Sequence, residues 1–334
     1  MALPDAPDEF ALIAELFAPL AADAPGAFGL TDDAAVFTPG EGRDLVLTVD
    51  ALVEGVHFLA NDPPGTIARK LLGVNLSDLA AKGATPKGYL LTAAFRPDTP
   101  FAWMRGFAEG LRLGQQAFGL SLWGGDTVST PGPLSFSLTA LGEVPKGRML
   151  RRSGARAGDD IYVTGTIGDG ALGLLAAQGK LSGLGAEDAA SLAGRYRVPA
   201  PRVTAGPRLI GVASAALDVS DGLMADLGHM CAASGVGALV ETASLPLSPA
   251  AGRALAAEPS LLGTILGGGD DYEILFAAPP AHAAQIARIA LETGVPMTRI
   301  GRLGEAGEQT GEKVRAIDPD GRIFIPNHLG FRHF

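Results

Sequence analysis

Cysteine is nearly absent from this chain: Cys231 is the only one in 334 residues. That excludes an intramolecular disulfide and a thiolate zinc cluster. Its setting, "DLGHMCAASG", reads as a helix in which one Cys serves as a small buried hydrophobe. Long apolar runs are missing as well, and no stretch reaches the roughly 20 residues of a membrane span. The opening "MALPDAPDEFALIAELFAPL" has early acids and no basic region, so no secretory signal is expected and the expected compartment is the cytoplasm. Basic charge is scarce, with 26 Lys and Arg against 36 Asp and Glu for a net charge of -10. No basic run is interleaved with aromatics, so a nucleic-acid partner is not expected. An anionic substrate would need a local basic patch or a metal to bring it in.

Several catalytic signatures are missing too. There is no G-x-x-x-x-G-K-[ST] loop, no H-E-x-x-H and no protein-kinase catalytic loop. "GTIGDGALG" is Gly-rich but lacks the dinucleotide-binding spacing, and it reads as a structural turn. The five histidines are dispersed. His229, on a helix, reads as a half-buried structural residue. His57, seven residues after Asp50, is the better functional candidate.

What remains is a soluble globular composition, 47% apolar and 19% charged, in a chain long enough for about two domains. Period and turn signals predict a helix over 8–20, strands at "DLVLTVDALV" and "GYLLTAAF", and a helix through "GTIARKLLGVNLSDLAAKG". A helix over about 101–118 and strands at "GLSLWGGDT" and "LSFSLTALGEV" follow. The basic, turn-rich "PKGRMLRRSGARAGDD" marks a domain junction near 146–158. Beyond it, "DIYVTGTIGDGALGLLAAQG" and "SAALDVSDGLMADLGHMCAASG" each read strand, Gly turn, helix, and "GGGDDYEILFAAPP" reads turn into strand. This alternation predicts a two-domain α/β (α+β) fold.

Carboxylates gather in a pattern. Asp32 and Asp33 lie in "LTDDAAV", Asp50 in "LTVDALVEGVHF", Asp78 in "NLSDLAA" and Asp126 in "WGGDTVS". Asp218 and Asp221 lie in "ALDVSDGL", and Asp270, Asp271 and Glu273 in "GGGDDYEI". Nearly all are Asp, placed at element ends beside Gly, Ser, Thr or Asn. Any one alone reads as a helix cap or an Asx-turn. Their recurrence at strand and helix junctions favours a shared role, because short carboxylates on turns suit Mg²⁺, a hard cation that takes oxygen ligands and substrate phosphates. The chemistry left open is metal-assisted phosphoryl transfer without a lysine-bearing loop.

The segments "VNLSDLAAKGATP", "LVEGVHF", "GGDT", "RRSGARAGDDIYVTGT", "DVSDGLMADLGH" and "GGGDDYEILF" together resemble the thiamine-monophosphate kinase family. Its superfamily includes aminoimidazole ribonucleotide synthetase, selenophosphate synthetase and the hydrogenase maturation protein HypE. The resemblance implies ATP-dependent phosphorylation of thiamine monophosphate to thiamine diphosphate by direct in-line transfer, with several Mg²⁺ ions per site. It implies Asp33, Thr48, Asp50, Asp78, Asp126, Asp218 and Asp221 as metal ligands, and Gly125, Asp126, Arg152 and Ser220 as ATP contacts. His57, Asp270 and Phe331 are implied as contacts to thiamine monophosphate. It also implies a mixed-sheet N-terminal domain (1–146) that binds ATP and Mg²⁺ and pairs across a homodimer, with a C-terminal domain (147–334) completing the site.

Three positions depart from the family pattern. Thr31 stands where a Gly precedes the first Asp pair, Asp270 replaces a Glu, and the C-terminal aromatic position aligns with Phe331 or with His328. Other readings are a sister enzyme acting on a different small molecule and a non-catalytic nucleotide sensor. Selenophosphate synthetase and HypE carry a terminal-region cysteine, which mid-chain Cys231 does not match. A sensor would be expected to have lost acidic ligands that are all present here.

Overall fold

Residues 44–53 are rich in β-branched and Leu side chains, as strands are. In the computed structural model, which describes residues 9–305, 314–324 and 330, they lie within β1, Arg43–Val53. Contacts divide the chain into two units, Met1–Leu79 with Ala84–Gly147, and Ala80–Gly83 with Arg148–Phe334.

The first unit begins with α1, Glu9–Leu12. The single helix expected over 8–20 is instead a run of short pieces, because hydrogen bonding switches to a π turn at Ile13–Phe17 and a 3₁₀ turn at Ala18–Ala21. Pro19 lies at the start of the 3₁₀ turn and has no N–H to continue an α-helical ladder. After β1 come α2 (Pro64–Ala81), β2 (Thr85–Phe95), α3 (Phe101–Phe118), β3 (Ser121–Ser129) and β4 (Ser135–Pro145). The sheet order is β1-β4-β2-β3, with β2 and β3 parallel and the other pairs antiparallel.

α2 and α3 cross closely enough that a Cβ on Gly110 would lie 2.4 Å from the Gly65 carbonyl oxygen, so glycine is needed there. Phe107 of α3 stacks on Phe136 of β4 with centroids 4.4 Å apart, and Phe58, Phe95 and Trp103 complete that aromatic layer. α2 buries Ile67, Ala68, Leu71, Leu72, Leu76 and Leu79, and also the polar Lys70, Asn75 and Ser77. The opposite face of the sheet is open. Leu47 is 60% exposed and Val49 61%, and Leu45, Leu90 and Val128 are exposed with them.

In the second unit the order is β5 (Asp160–Thr164), α4 (Asp169–Ala177), α5 (Ala186–Arg197), β6 (Ala215–Asp218), α6 (Leu223–Ser234) and β7 (Val236–Glu241). α7 (Pro249–Ala257), α8 (Leu262–Gly267), β8 (Ile274–Ala278), α9 (Ala283–Thr293), β9 (Met297–Glu305), β10 (Val314–Ile317) and β11 (Ile323–Phe324) follow. Among the described residues the strands form one mixed sheet, ordered β11-β10-β7-β9-β5-β8-β6.

β5, β6 and β8 are buried along their whole length. Alternate residues serve the two faces: Ile161, Val163, Leu217 and Leu275 enter one core with Leu227 and Met230. Tyr162, Ala216, Ile274 and Phe276 enter another with Ile286 and Ile289 of α9. Covered strands of this kind read as continuous apolar runs rather than alternating ones. Cys231 is fully buried in the first of these cores, as its setting predicts.

Candidate functional site

In the first unit, β1 presents Thr48 and Asp50 on the same face as buried Val46 and Leu52. α2 brings Asp78 to them, and Thr48 Oγ1 donates to Asp78 Oδ2 at 2.5 Å. Asn75 fixes the strand beside them: its Oδ1 accepts the Asp50 N–H at 3.1 Å, while its Nδ2 donates to the Leu71 carbonyl at 2.9 Å. Burial, and then the charge of Asp78, push the Asp50 carboxyl up to about 6. Among the described residues no Lys or Arg forms an ion pair with Asp50 or Asp78. Two carboxylates pressed together without a cation, with a hydroxyl beside them, form a hard oxygen donor set that fits Mg²⁺. Asp78 lies in the last turn of α2, so it cannot cap the helix N-terminus.

His57 follows β1 in a turn. Its Nδ1 accepts the Val53 N–H at 3.1 Å, which leaves the proton of a neutral ring on Nε2. Buried Lys70 donates to the His57 carbonyl at 3.0 Å and holds that turn.

Asp126 takes the other face of the sheet. It pairs with Thr92, and Thr92 pairs with Ser137, whereas Gly125 shares the row of Leu91, Leu138 and Asp50. Asp126 lines a cavity of about 600 Å³ together with Asp32, Asp33, Trp123 and Thr127. The fold thus brings Asp33 and Asp126 to one cavity, and Thr48, Asp50 and Asp78 together on the opposite face.

In the second unit, β6 ends at Asp218 and the turn Val219–Gly222 opens α6. Two strands of backbone are stitched side by side here. Asp270 N–H donates to the Ser220 carbonyl at 2.9 Å, Tyr272 N–H to Val219 at 2.8 Å, and Val219 N–H to Glu273 at 2.9 Å. The stitch places Asp270 and Tyr272 at positive φ, 63° and 53°, a conformation uncommon outside glycine and tolerated best by Asp and Asn. Tyr272 Oη donates to Asp270 Oδ1 at 3.0 Å. Ser220, Asp221 and Asp270 are therefore neighbours in the fold.

Arg152 is exposed. Its carbonyl accepts from Ser234 Oγ at 3.3 Å, at the C-terminal end of α6. The helix rise places that end about 16 Å from the turn that holds Ser220. Phe331 and His328 lie outside the described residues.

Sequence reasoning left Asp226, Asp271 and Glu273 without roles. Asp226 is pushed up to about 7 by burial and by Asp221, against three backbone N–H bonds that act in the other direction. Asp271 is pushed up to about 8 by burial, while its Oδ2 and Oδ1 accept the Gly168 and Gly170 N–H groups at 2.8 and 3.0 Å. The "GTIGDGALG" turn is therefore filled by a carboxylate of the protein itself, in keeping with a structural turn. His229, expected to be half-buried, is exposed on α6, where its ligand atom lies within 4.8 Å of those of Asp221 and Asp226. The signal available for Asp226 was an Asp in the first turn of a helix directly after an S-D-G turn.

Two family models match the chain in sequence order. The AIR synthase related protein N-terminal domain matches residues 31–144, and the AIR synthase related protein C-terminal domain matches 156–313. The two matches define the class: a two-domain AIR synthase related protein.

A thiamine-monophosphate kinase of Caulobacter vibrioides is 46% identical over 330 residues, 98% of this chain and 91% of the relative. The crystal structure of the thiamine-monophosphate kinase from Stenotrophomonas maltophilia K279a is 42% identical with a TM-score of 0.78, covering 88% of this chain and 91% of that one. AaThiL complexed with AMPPCP and TMP is 29% identical with a TM-score of 0.76, covering 92% and 97%. The chain belongs to the thiamine-monophosphate kinase family. No helix among the described residues is long and apolar enough to cross a membrane.

Proposed function

We propose that this chain phosphorylates thiamine monophosphate to thiamine diphosphate with ATP as the phosphoryl donor. The observation that carries the reading is the end-to-end similarity to thiamine-monophosphate kinases in a chain that also pairs Asp50 with Asp78 beside Thr48. AMPPCP, an analogue of ATP, and TMP are bound by the AaThiL relative, which supports the same pair of substrates here.

In this reading Thr48, Asp50, Asp78, Asp33 and Asp126 of the first unit, and Asp218 and Asp221 of the second, hold divalent ions. Such ions would neutralise the triphosphate and polarise its transferred phosphoryl group. Gly125, Arg152 and Ser220 contact the nucleotide. His57, through its Nε2–H, and Asp270 contact thiamine monophosphate.

Transfer is direct and in line. In this reading the aspartates serve as metal ligands and Cys231 is buried in the core, which leaves direct transfer to the substrate phosphate. A cytoplasmic setting belongs to the same proposal. ADP release is expected only with ATP, Mg²⁺ or Mn²⁺ and thiamine monophosphate together, with label from the γ-phosphate found wholly in thiamine diphosphate. Full turnover in excess chelator, or label trapped on the protein with ATP alone, would count against it.

The exposed Leu45, Leu47 and Val49 of β1, with Leu90 of β2 and Val128 of β3 on the same sheet face, support a homodimer in which two such faces meet. Leu47→Asp should convert a dimer to a monomer in sedimentation velocity at micromolar concentration. A wild-type chain that sediments as a monomer there would end the proposal.

A further inference from the structure

Asp226 is 3% exposed, in the first turn of α6. Its Oδ2 accepts three consecutive backbone N–H groups: Ser220 at 3.0 Å, Asp221 at 3.0 Å and Gly222 at 3.1 Å. In a Gly turn that opens a helix, these are the donors that hold a phosphate, with the positive end of the helix dipole behind them. Here a single internal carboxylate oxygen takes all three.

The turn has little room to adjust. Gly222 sits at φ 127°, and a Cβ there would meet the Gly267 backbone at 2.8 Å. On its other side the Ser220 carbonyl accepts from Asp270. With the chain packed on both flanks, Asp226 is the group that sets how the Ser220 hydroxyl and the Asp221 carboxylate leave the turn.

We infer that Asp226 is a positioning residue for nucleotide and metal: it orients Ser220 and Asp221, and by filling the α6 N-terminus with a carboxylate it leaves phosphates to be bound through cations rather than through amides. The inference rests on the reading of Ser220 and Asp221 as nucleotide and metal contacts. Charge-assisted hydrogen bonds are roughly twice as strong as neutral ones, so Asp226→Asn keeps the volume but weakens the convergence of the three amides. It also removes the negative charge that excludes a bare anion from the helix end.

Asp159 supplies a matched control. It is a buried carboxylate that accepts the Arg156 N–H at 3.0 Å and the Ser214 hydroxyl at 2.6 Å. Ser214 precedes β6, whereas Asp218 ends it, so Asp159 works at the opposite end of that strand.

Titration calorimetry with Mg²⁺–ADP, and with metal-free pyrophosphate, reads the proposal without turnover. Asp226→Asn is expected to weaken Mg²⁺–ADP binding at least tenfold and to leave pyrophosphate binding equal or stronger. Asp159→Asn should lower the melting temperature yet keep Mg²⁺–ADP binding within threefold of wild type. Equal losses in the two variants, or Asp226→Asn within twofold of wild type, would overturn the proposal.

If Asp226→Asn does not fold, hydrogen exchange on the metal-free wild-type chain decides. The amides of residues 220–222 should be protected, and exchange at the rate of open amides would overturn the assignment. Failure of the wild-type chain to bind Mg²⁺–ADP would instead sink the nucleotide reading itself.

Discussion

Asp78→Asn is expected to fold normally, to be at least as stable as wild type without metal, and to lose turnover by about 100-fold or more. The size of the rate loss follows from the proposed role of Asp78 as a metal ligand: a phosphoryl group held slightly out of place would lose about that much rate. The stability side comes from the geometry around Asp78. It lies near the C-terminus of α2, where a negative charge opposes the helix dipole. Thr48 Oγ1 can donate to an amide oxygen as it does to the carboxylate.

Removing the charge also relieves Asp50, whose carboxyl is held at about 6 by burial first and by Asp78 second. A folded pKa above the ordinary 3.8 means that ionised Asp50 lowers stability above about pH 6. That penalty fades as pH falls from about 6 to about 4, because the folded chain takes up the proton first. The mutant's advantage in metal-free melting temperature should therefore be largest above about pH 6 and close toward pH 4. An Asp78→Asn protein with normal turnover would remove Asp78 from the metal site.

Asp78 also shows what a sequence can and cannot say. Its helix was legible from the period of "GTIARKLLGVNLSDLAAKG", and its acid stood out among apolar neighbours. Its neighbours in space were not legible, because they depend on β1 lying beside the last turn of α2, a contact between residues 30 apart in the chain. The strand at "DLVLTVDALV" was legible too, but that Thr48 and Asp50 face α2 while Leu47 and Val49 face away came only with the structure. The second unit's sheet was read only where strand, Gly turn and helix followed in order, and α5, α9 and β9 went unread although Gly185 opens α5 and Gly294 closes α9.

Asp226 escaped notice because its partners are backbone amides, and its mark in the sequence is only its place in the first turn of a helix after S-D-G. The same holds for the stitch at 270–273. "GGGDDYEI" advertised its acids, but not that positive φ at Asp270 and Tyr272 would aim alternate carboxylates at different targets.

Glu273 is the target for the largest stability effect. It is fully buried, and its oxygens accept from Thr164 Oγ1 at 2.7 Å, from Arg202 Nε at 2.6 Å and Nη2 at 2.5 Å, and from Arg195 Nη2 at 3.0 Å. Thr164 is buried too, and its Oγ1 in turn accepts the Ile274 N–H at 2.8 Å, so the cluster ties β5 to β8 through side chains as well as through the ladder. Removing one partner of a buried ion cluster costs about 3–5 kcal/mol, since the groups left behind were desolvated for a charge that is gone.

Arg195 and Arg202 retain some access to water, with 24% and 19% of their side chains exposed. Glu273→Ala should accordingly fall near the lower figure, about 3 kcal/mol, or a drop of about 6–12 °C in melting temperature at 2–4 °C per kcal/mol. Glu273→Gln keeps the shape but turns an NH₂ group toward a guanidinium, so it should recover only part of the loss. Denaturant melts of the two variants at neutral pH, without ligand, measure both values. A loss below about 1 kcal/mol for Glu273→Ala would mean that the two arginines solvate fully once released, and that the ladder of β5 and β8 alone holds the strand ends.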